Sequence, residues 1–179
     1  FLKFMRTIKY LIQFIIICIF YLIFLIIGVK LSSFLSGKLF EIIGPIFRSK
    51  KIINNNIRKA FPDYNSKELD KIKSSMWNNY GRVFAEYLYM KNFRYGYLSK
   101  NISIEGEDIL LNIKNLNQKV IFISGHFSNF ELMAMQIDKI GIKVGAIYRP
   151  LNNIFLNKFM ERIRKKYICN NQIKKGIGG

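Results

Sequence analysis

The sequence has a single histidine, three prolines, two cysteines and few acids: 11 Asp and Glu stand against 29 Lys and Arg in 179 residues. Each shortage excludes something. Cys18 lies inside an apolar run and Cys169 in a basic segment, so the two supply neither metal-ligand spacing nor a disulfide framework, a usage that fits a reducing compartment. Any imidazole chemistry must pass through His126, the one histidine. The scarcity of acids leaves a formal net charge of +18, although 50% of the residues are hydrophobic. Soluble globular domains rarely combine the two. Together they point to a protein working against something anionic at a membrane surface. Anionic headgroups, an acidic carrier protein or nucleic acid would each satisfy the charge, as would compositional drift in a chain rich in Lys, Ile and Asn. There is no recognisable nucleic-acid-binding module, internal repeat or phosphate-cradling glycine loop. The chain opens at Phe1 rather than a methionine and closes on Gly176-Ile177-Gly178-Gly179, which reads as a fragment of a longer protein.

What is abundant is apolar and continuous. From Tyr10 to Val29 the chain carries no charge, and Gln13 is its only strongly polar side chain. At about 1.5 Å per residue such a run is long enough to cross a hydrocarbon core of about 30 Å as a helix. It lacks the polar stripe of a buried soluble helix, and it is too long, with no small-residue cleavage site after it, for a signal peptide. Lys3, Arg6 and Lys9 precede the run; Lys30, Lys38, Arg48, Lys50 and Lys51 follow it. The more basic flank after the run predicts a single-pass anchor with the bulk of the chain on the cytoplasmic side.

Three segments follow from the patterning: an anchor over 1–30, a helical and partly interfacial segment over 31–100, and an α/β segment over 101–179. In the second, Leu31 to Phe47 has a broad apolar face suited to the membrane interface or to core packing. A basic helix is expected over 50–60, and a longer one, capped by Ser66, runs through Tyr87. Residues 92–100 read as a connection. In the third segment, strands are expected at 102–104, 120–123 and 144–148. Helices are expected at 107–116, 130–140 and about 153–167. This alternation predicts a mostly parallel sheet with flanking helices, in which reactive residues gather at the carboxyl ends of strands.

His126 occupies such an end. It lies in Gly125-His126-Phe127-Ser128-Asn129-Phe130-Glu131, between the expected strand at 120–123 and the helix that follows. Gly125 permits a sharp turn, Ser128 or Asn129 can cap the helix, and Glu131 falls in its first turn. A histidine on the turn with a carboxylate one turn on suits general-base chemistry: the imidazole takes a proton from an attacking hydroxyl, and the carboxylate orients the ring and stabilises its cation. Backbone N–H groups at the helix start are available to a developing oxyanion. Spacing alone equally allows a histidine that fills a polar corner beside an ordinary first-turn Glu. No serine sits in a nucleophile elbow and neither cysteine has a basic partner, so direct attack is expected rather than a covalent acyl-enzyme.

The stretch from Gly125 to Glu131 resembles the H-x-x-x-x-D/E signature of glycerolipid acyltransferases. Its form, with Asn before an aromatic and then Glu, is similar to the late acyltransferases of lipid A synthesis, the lauroyl/myristoyl transferases. Asn55-Asn56-Ile57-Arg58-Lys59-Ala60-Phe61-Pro62 resembles that family's N-L-x-x-A-F-P segment, and Tyr80-Gly81-Arg82-Val83-Phe84-Ala85-Glu86 its G-R-x-x-x-E helix. Tyr148-Arg149-Pro150-Leu151-Asn152-Asn153, followed by Arg162 and Arg164, resembles the block that continues its active site. The stretches occur in the family's order over nearly the whole chain.

The resemblance implies an N-terminal membrane helix and an α/β acyltransferase domain of which 101–179 is the first part, with further strands, helices and an acidic motif beyond it. It implies a fatty-acyl donor on acyl carrier protein and an acceptor hydroxyl on a lipid A precursor at the bacterial inner membrane, with no metal or other cofactor. By carry-over His126 is the base and Glu131 its partner. Arg149, Arg164, Ser128 and Asn129 are substrate-binding candidates, the arginines because a guanidinium grips phosphate through parallel N–H bonds. The alternative for the arginines is a solvated basic helix face with Lys158, Lys165 and Lys166, which suits Arg162 better than Arg149. Glu86 is expected to be a buried structural partner. An acyltransferase acting on a glycerophospholipid or glycolipid, and a non-enzymatic basic membrane-anchored binding protein, are the other readings.

Overall fold

With no proline before Pro45 and a single stretch of helix-compatible apolar residues, the beginning of the chain forms one long helix, α1 (Leu2–Ile43). The structure, a computed structural model, describes residues 2–176. Phe1 and the closing Ile177-Gly178-Gly179 lie outside the described residues. The helix is long and apolar enough to cross a membrane, and little of its most apolar stretch is buried against protein. The rest is mostly helical, with a two-stranded parallel sheet. The chain forms two compact units: residues 21–88, and residues 1–20 together with 89–179.

In the 21–88 unit, α1 kinks at Gly28, whose φ of 78° is left-handed. Ser32 Oγ lies 2.8 Å from the carbonyl of Phe24 and 2.6 Å from that of Gly28, within reach of acceptors the kink disturbs. Beyond the kink, Ser32, Ser33 and Ser36 are buried, whereas Phe34, Leu35 and Ile42 stay exposed. This segment therefore packs through its small residues and leaves large apolar ones outward.

Pro45 ends the helix in a 3-10 turn (Gly44–Ile46), followed by α2 (Lys50–Ala60) and α3 (Ser66–Glu86). The cap of α3 is Asn65, one residue before the expected Ser66. Its Oδ1 accepts from the N–H groups of Lys67 and Glu68, while Glu68 reaches back to the N–H of Asn65, a reciprocal capping box. Gly81 lets α3 approach α1 closely: a Cβ there would collide with the Ser36 carbonyl, and Ser36 Oγ donates to the Gly81 carbonyl at 2.7 Å. Glu86 accepts from Ser33 Oγ at 2.8 Å, in keeping with a structural partner.

In the other unit, residues read as a connection contain α4 (Met90–Tyr95) and a 3-10 turn (Ser99–Asn101). Arg94 ties three elements together. It pairs with Asp138 at 2.7 Å and donates to the carbonyls of Tyr167 and Ile168. Around it Met90, Leu98, Met135, Ile137, Ile168 and Cys169 form the apolar core. The helices α5 (Glu107–Asn115), α6 (Glu131–Ile140) and α7 (Ile154–Ile163) fall where apolar spacing placed them, but a π turn (Arg164–Ile168) replaces the expected end of α7.

Strand β1 (Gly145–Tyr148) pairs in parallel with β2 (Asn171–Lys174), Gly145 opposite Asn171 and Tyr148 opposite Lys174, with α7 between them. The sequence reading missed β2. Conversely, 102–104 and 120–123 are not strands here: Ile121 and Ile123 are 90% and 93% exposed. A strand exists only through its ladder, and among the described residues the ladder joins β1 and β2 alone. The expected mostly parallel sheet with flanking helices is present only as this pair.

Candidate active site

The segment from Ser124 to Phe130 is a loop leading into α6, and His126 is exposed on it. Gly125 accommodates the Phe127 ring, which a Cβ would strike, and Ser128 is left-handed with φ 43°. The His126 ring rests on Phe130, with centroids 4.2 Å apart and planes at 49°. Phe130 occupies the N-cap position of α6 and makes no side-chain cap bond. Instead the Asn129 carbonyl accepts from the N–H of Leu132 at 3.1 Å.

Glu131, the first residue of α6, is 7% exposed. Its Oε1 accepts from both Nε and Nη2 of Arg164, at 2.9 and 2.6 Å. A carboxylate at a helix start with a guanidinium on it is doubly favoured, by the dipole and by the charge-assisted bonds. Sequence reasoning assigned Arg164 to substrate; in the fold these two of its N–H groups point to Glu131. The same guanidinium lies over the Tyr148 ring, 5.4 Å from its centroid.

From Tyr148 the polar chain continues. Its hydroxyl donates to Glu161 Oε1, which also receives Asn157 Nδ2 at 2.9 Å and Lys174 Nζ at 3.3 Å. Burial, and then the neighbouring Glu161 carboxylate, push the Tyr148 phenol up to about 12. The Tyr148 bond, followed by those from Asn157 and Lys174, holds Glu161 below the usual carboxylate range. Asn157 Oδ1 also accepts from the N–H of Leu151, and Asn153 caps α7 by accepting from Phe155 and Leu156. Of the block from Tyr148 to Asn153, Tyr148, Leu151 and Asn153 thus build the β1–α7 junction, while Arg149 is exposed beyond the end of β1.

The structure therefore brings Glu131, Arg164 and Tyr148 together, with His126 and Phe130 paired on the adjoining loop. Tyr148, Glu161 and Phe130 were not among the expected site residues. Their one sequence signal was position, next to Arg149 and within the loop motif. Cys169 is buried, its thiol pushed up by that burial, which disfavours it as a nucleophile. No group of His, Cys, Asp and Glu suited to a metal occurs among the described residues.

A basic chain with a long apolar helix, an exposed loop histidine and a clasped, buried glutamate at the start of the next helix has the parts of an acyl-transfer enzyme working on lipid. The family model for bacterial lipid A biosynthesis acyltransferases matches residues 1–170. The chain belongs to that family and is an acyltransferase, as its motifs implied. No curated protein and no solved structure matches it.

Proposed function

We propose that the chain moves a fatty acyl group from an acyl carrier protein thioester to a hydroxyl of a lipid A precursor, with His126 as general base and Glu131 as its carboxylate partner. The observation that carries this reading is the buried Glu131 carboxylate, held by Arg164 at the start of α6, next to a loop that exposes the chain's one histidine. The acceptor oxygen attacks the thioester carbonyl carbon as His126 takes its proton. The tetrahedral intermediate collapses with cleavage of the C–S bond, and the imidazolium returns the proton to the departing thiolate. Loop N–H groups from Ser128 to Phe130 are the candidate oxyanion donors. In this scheme Arg164 holds the Glu131 side chain in place, and exposed Arg149 is the cation available to the anionic acceptor.

The site faces the cytoplasmic side of the bacterial inner membrane in this reading, supported by the apolar α1 and the basic excess.

The test is an acyl-transfer assay in membranes, offering acyl carrier protein thioesters and a tetra-acylated lipid A precursor to the parent protein and to His126→Ala and Glu131→Ala. Transfer lost in both variants at unchanged expression supports the base, its partner and the acceptor together. Transfer that survives both substitutions removes the mechanism. Transfer to a glycerophospholipid alone keeps the chemistry and changes the acceptor.

A further inference from the structure

The uncharged run of α1 has two different sides. Tyr10, Phe14, Ile17, Tyr21 and Phe24 follow one another at three- and four-residue steps, and protein covers each of them partly or fully. Ile8, Ile12, Ile15, Ile19, Ile23 and Ile26 repeat at the same steps on the opposite side and are all exposed. At 1.5 Å per residue this isoleucine side is about 27 Å long.

The covered side conflicts with a crossing of the bilayer, in each compact unit separately. In the 1–20 and 89–179 unit, Asn153 donates through Nδ2 to the Tyr10 carbonyl at 2.9 Å, and the Phe14 ring lies 6.0 Å from that of Phe155. If residues 10–29 crossed once, Asn153 would lie on the far side from Tyr10, because no other helix among the described residues is long and apolar enough to bring the chain back. In the 21–88 unit, the Tyr21 hydroxyl donates to the Phe84 carbonyl at 3.3 Å, and the two rings are 4.9 Å apart. Tyr21 is about 16 Å along the helix from Tyr10, the midplane of a hydrocarbon core about 30 Å thick. A crossing would therefore carry α3, with Arg82 and Glu86 flanking Phe84, into the centre of the bilayer, where charged side chains are costly.

We infer that α1 does not cross the membrane but lies along one leaflet, its aromatic side against protein, its isoleucine side in the acyl chains and both its ends on one side of the bilayer. This replaces the single pass that length and composition predict, and it keeps the site on the cytoplasmic side. The flanking charges agree with it. Lys3, Arg6 and Lys9 before the run and Lys30 after it are exposed, and no acid precedes Glu41, so both flanks are of the kind retained in the cytoplasm. The same charges select lipid over a second copy of the chain as the cover for the isoleucines. Pairing α1 with another α1 in either direction sets basic flank on basic flank, whereas anionic headgroups attract both. An exposed apolar side of this length requires such a cover. The inference is independent of the acyl-transfer chemistry, which would survive its failure.

The experiment measures the depth of three exposed positions on the isoleucine side. The full chain carries a nitroxide at Ile12→Cys, Ile19→Cys or Ile26→Cys, each with Cys18→Ser, in bilayer discs of phosphatidylcholine and phosphatidylglycerol. The Cys18→Ser chain alone gives the background from buried Cys169. Because the three isoleucines are exposed, the labels leave the protein contacts of α1 in place. Depth is read from the ratio of oxygen to nickel-chelate accessibility. The three labels are expected at one depth, within about 5 Å or one helix turn, with oxygen favoured at each. A crossing helix instead puts position 19 about 10 Å deeper than positions 12 and 26, and that result overturns the inference. Spin–spin broadening with little oxygen contact at all three would show a second copy as the cover and overturns it too, as would chelate access at all three, which places the helix in water.

Discussion

Arg164 delivers two N–H groups, Nε and Nη2, to a single oxygen of Glu131, across 33 residues of sequence and from the far side of a βα crossover. The two side chains are 18% and 8% exposed, so neither charge is well hydrated. Removing one partner strips the other, buried charge of this clasp, which costs about 3–5 kcal/mol. Arg164→Ala is therefore expected to lower unfolding free energy by about that much. The same substitution in a Glu131→Gln background is expected to cost clearly less. Denaturant unfolding of the four proteins in detergent checks this; equal costs in both backgrounds would mean that Arg164 acts through its packing on Tyr148.

Tyr148 and Glu161 share one hydrogen bond and are shifted in opposite directions, Tyr148 by burial first and then by that carboxylate. The Tyr148 phenol is pushed from 10.0 up to about 12, so between these values the folded chain keeps a proton the unfolded chain has lost. The associated stability is complete below pH 10 and falls as pH rises through that window. Glu161 is held low, so its contribution is present above the usual carboxylate range and is lost as pH falls through its folded value. Tyr148→Phe is expected to flatten the alkaline decline and to raise the Glu161 titration. The alkaline tyrosinate absorbance of parent minus variant, together with unfolding midpoints against pH, measures both.

Two glycines of the 21–88 unit separate close packing from backbone conformation. Gly81 sits in α3 with no room for a Cβ against the Ser36 carbonyl, whereas Gly28 has open space but a φ of 78°. In Gly81→Ala the helix-propensity gain of about 1 kcal/mol is outweighed by backbone displacement, since overpacking costs about 1–3 kcal/mol. A net loss with parting of α1 from α3 is expected. Gly28→Ala is expected to cost about 1–2 kcal/mol from left-handed strain alone. Unfolding midpoints, read with a distance probe between α1 and α3, should show parting in the first variant only.

The sequence was most legible where periodicity runs long. The apolar helix, α3, α5, α6 and α7 all follow from local spacing, as does β1 from its apolar run. What it hid depends on partners remote in the chain. Strand β2 is a polar four-residue segment that exists because β1 lies beside it. The run at 120–123 is the reverse case, strand-like in composition but without a ladder in the described fold. Arg164 shows the same limit within the site. Its motif named it as functional, but only the fold shows the guanidinium on Glu131. The Arg94 clasp on Asp138 left no local trace.

Phe130 is the remaining contact with consequences for catalysis. Its ring lies 4.2 Å from that of His126, on a loop where the imidazole is otherwise exposed. If His126 is the base, this stacking limits where the ring can point, and displacement by about 1 Å can cost about a hundredfold in rate. Phe130→Leu keeps an apolar side chain of similar length but removes the flat surface. It is expected to reduce kcat by about ten- to a hundredfold with KM nearly unchanged. Phe130→Tyr, which restores the ring, is expected to recover most of the rate. A merely structural role would instead appear as reduced folded protein, with the surviving fraction turning over normally. Steady-state transfer kinetics normalised to folded protein separate the two, and a Phe130→Leu enzyme with parental kcat would show that the stacking does not position the base.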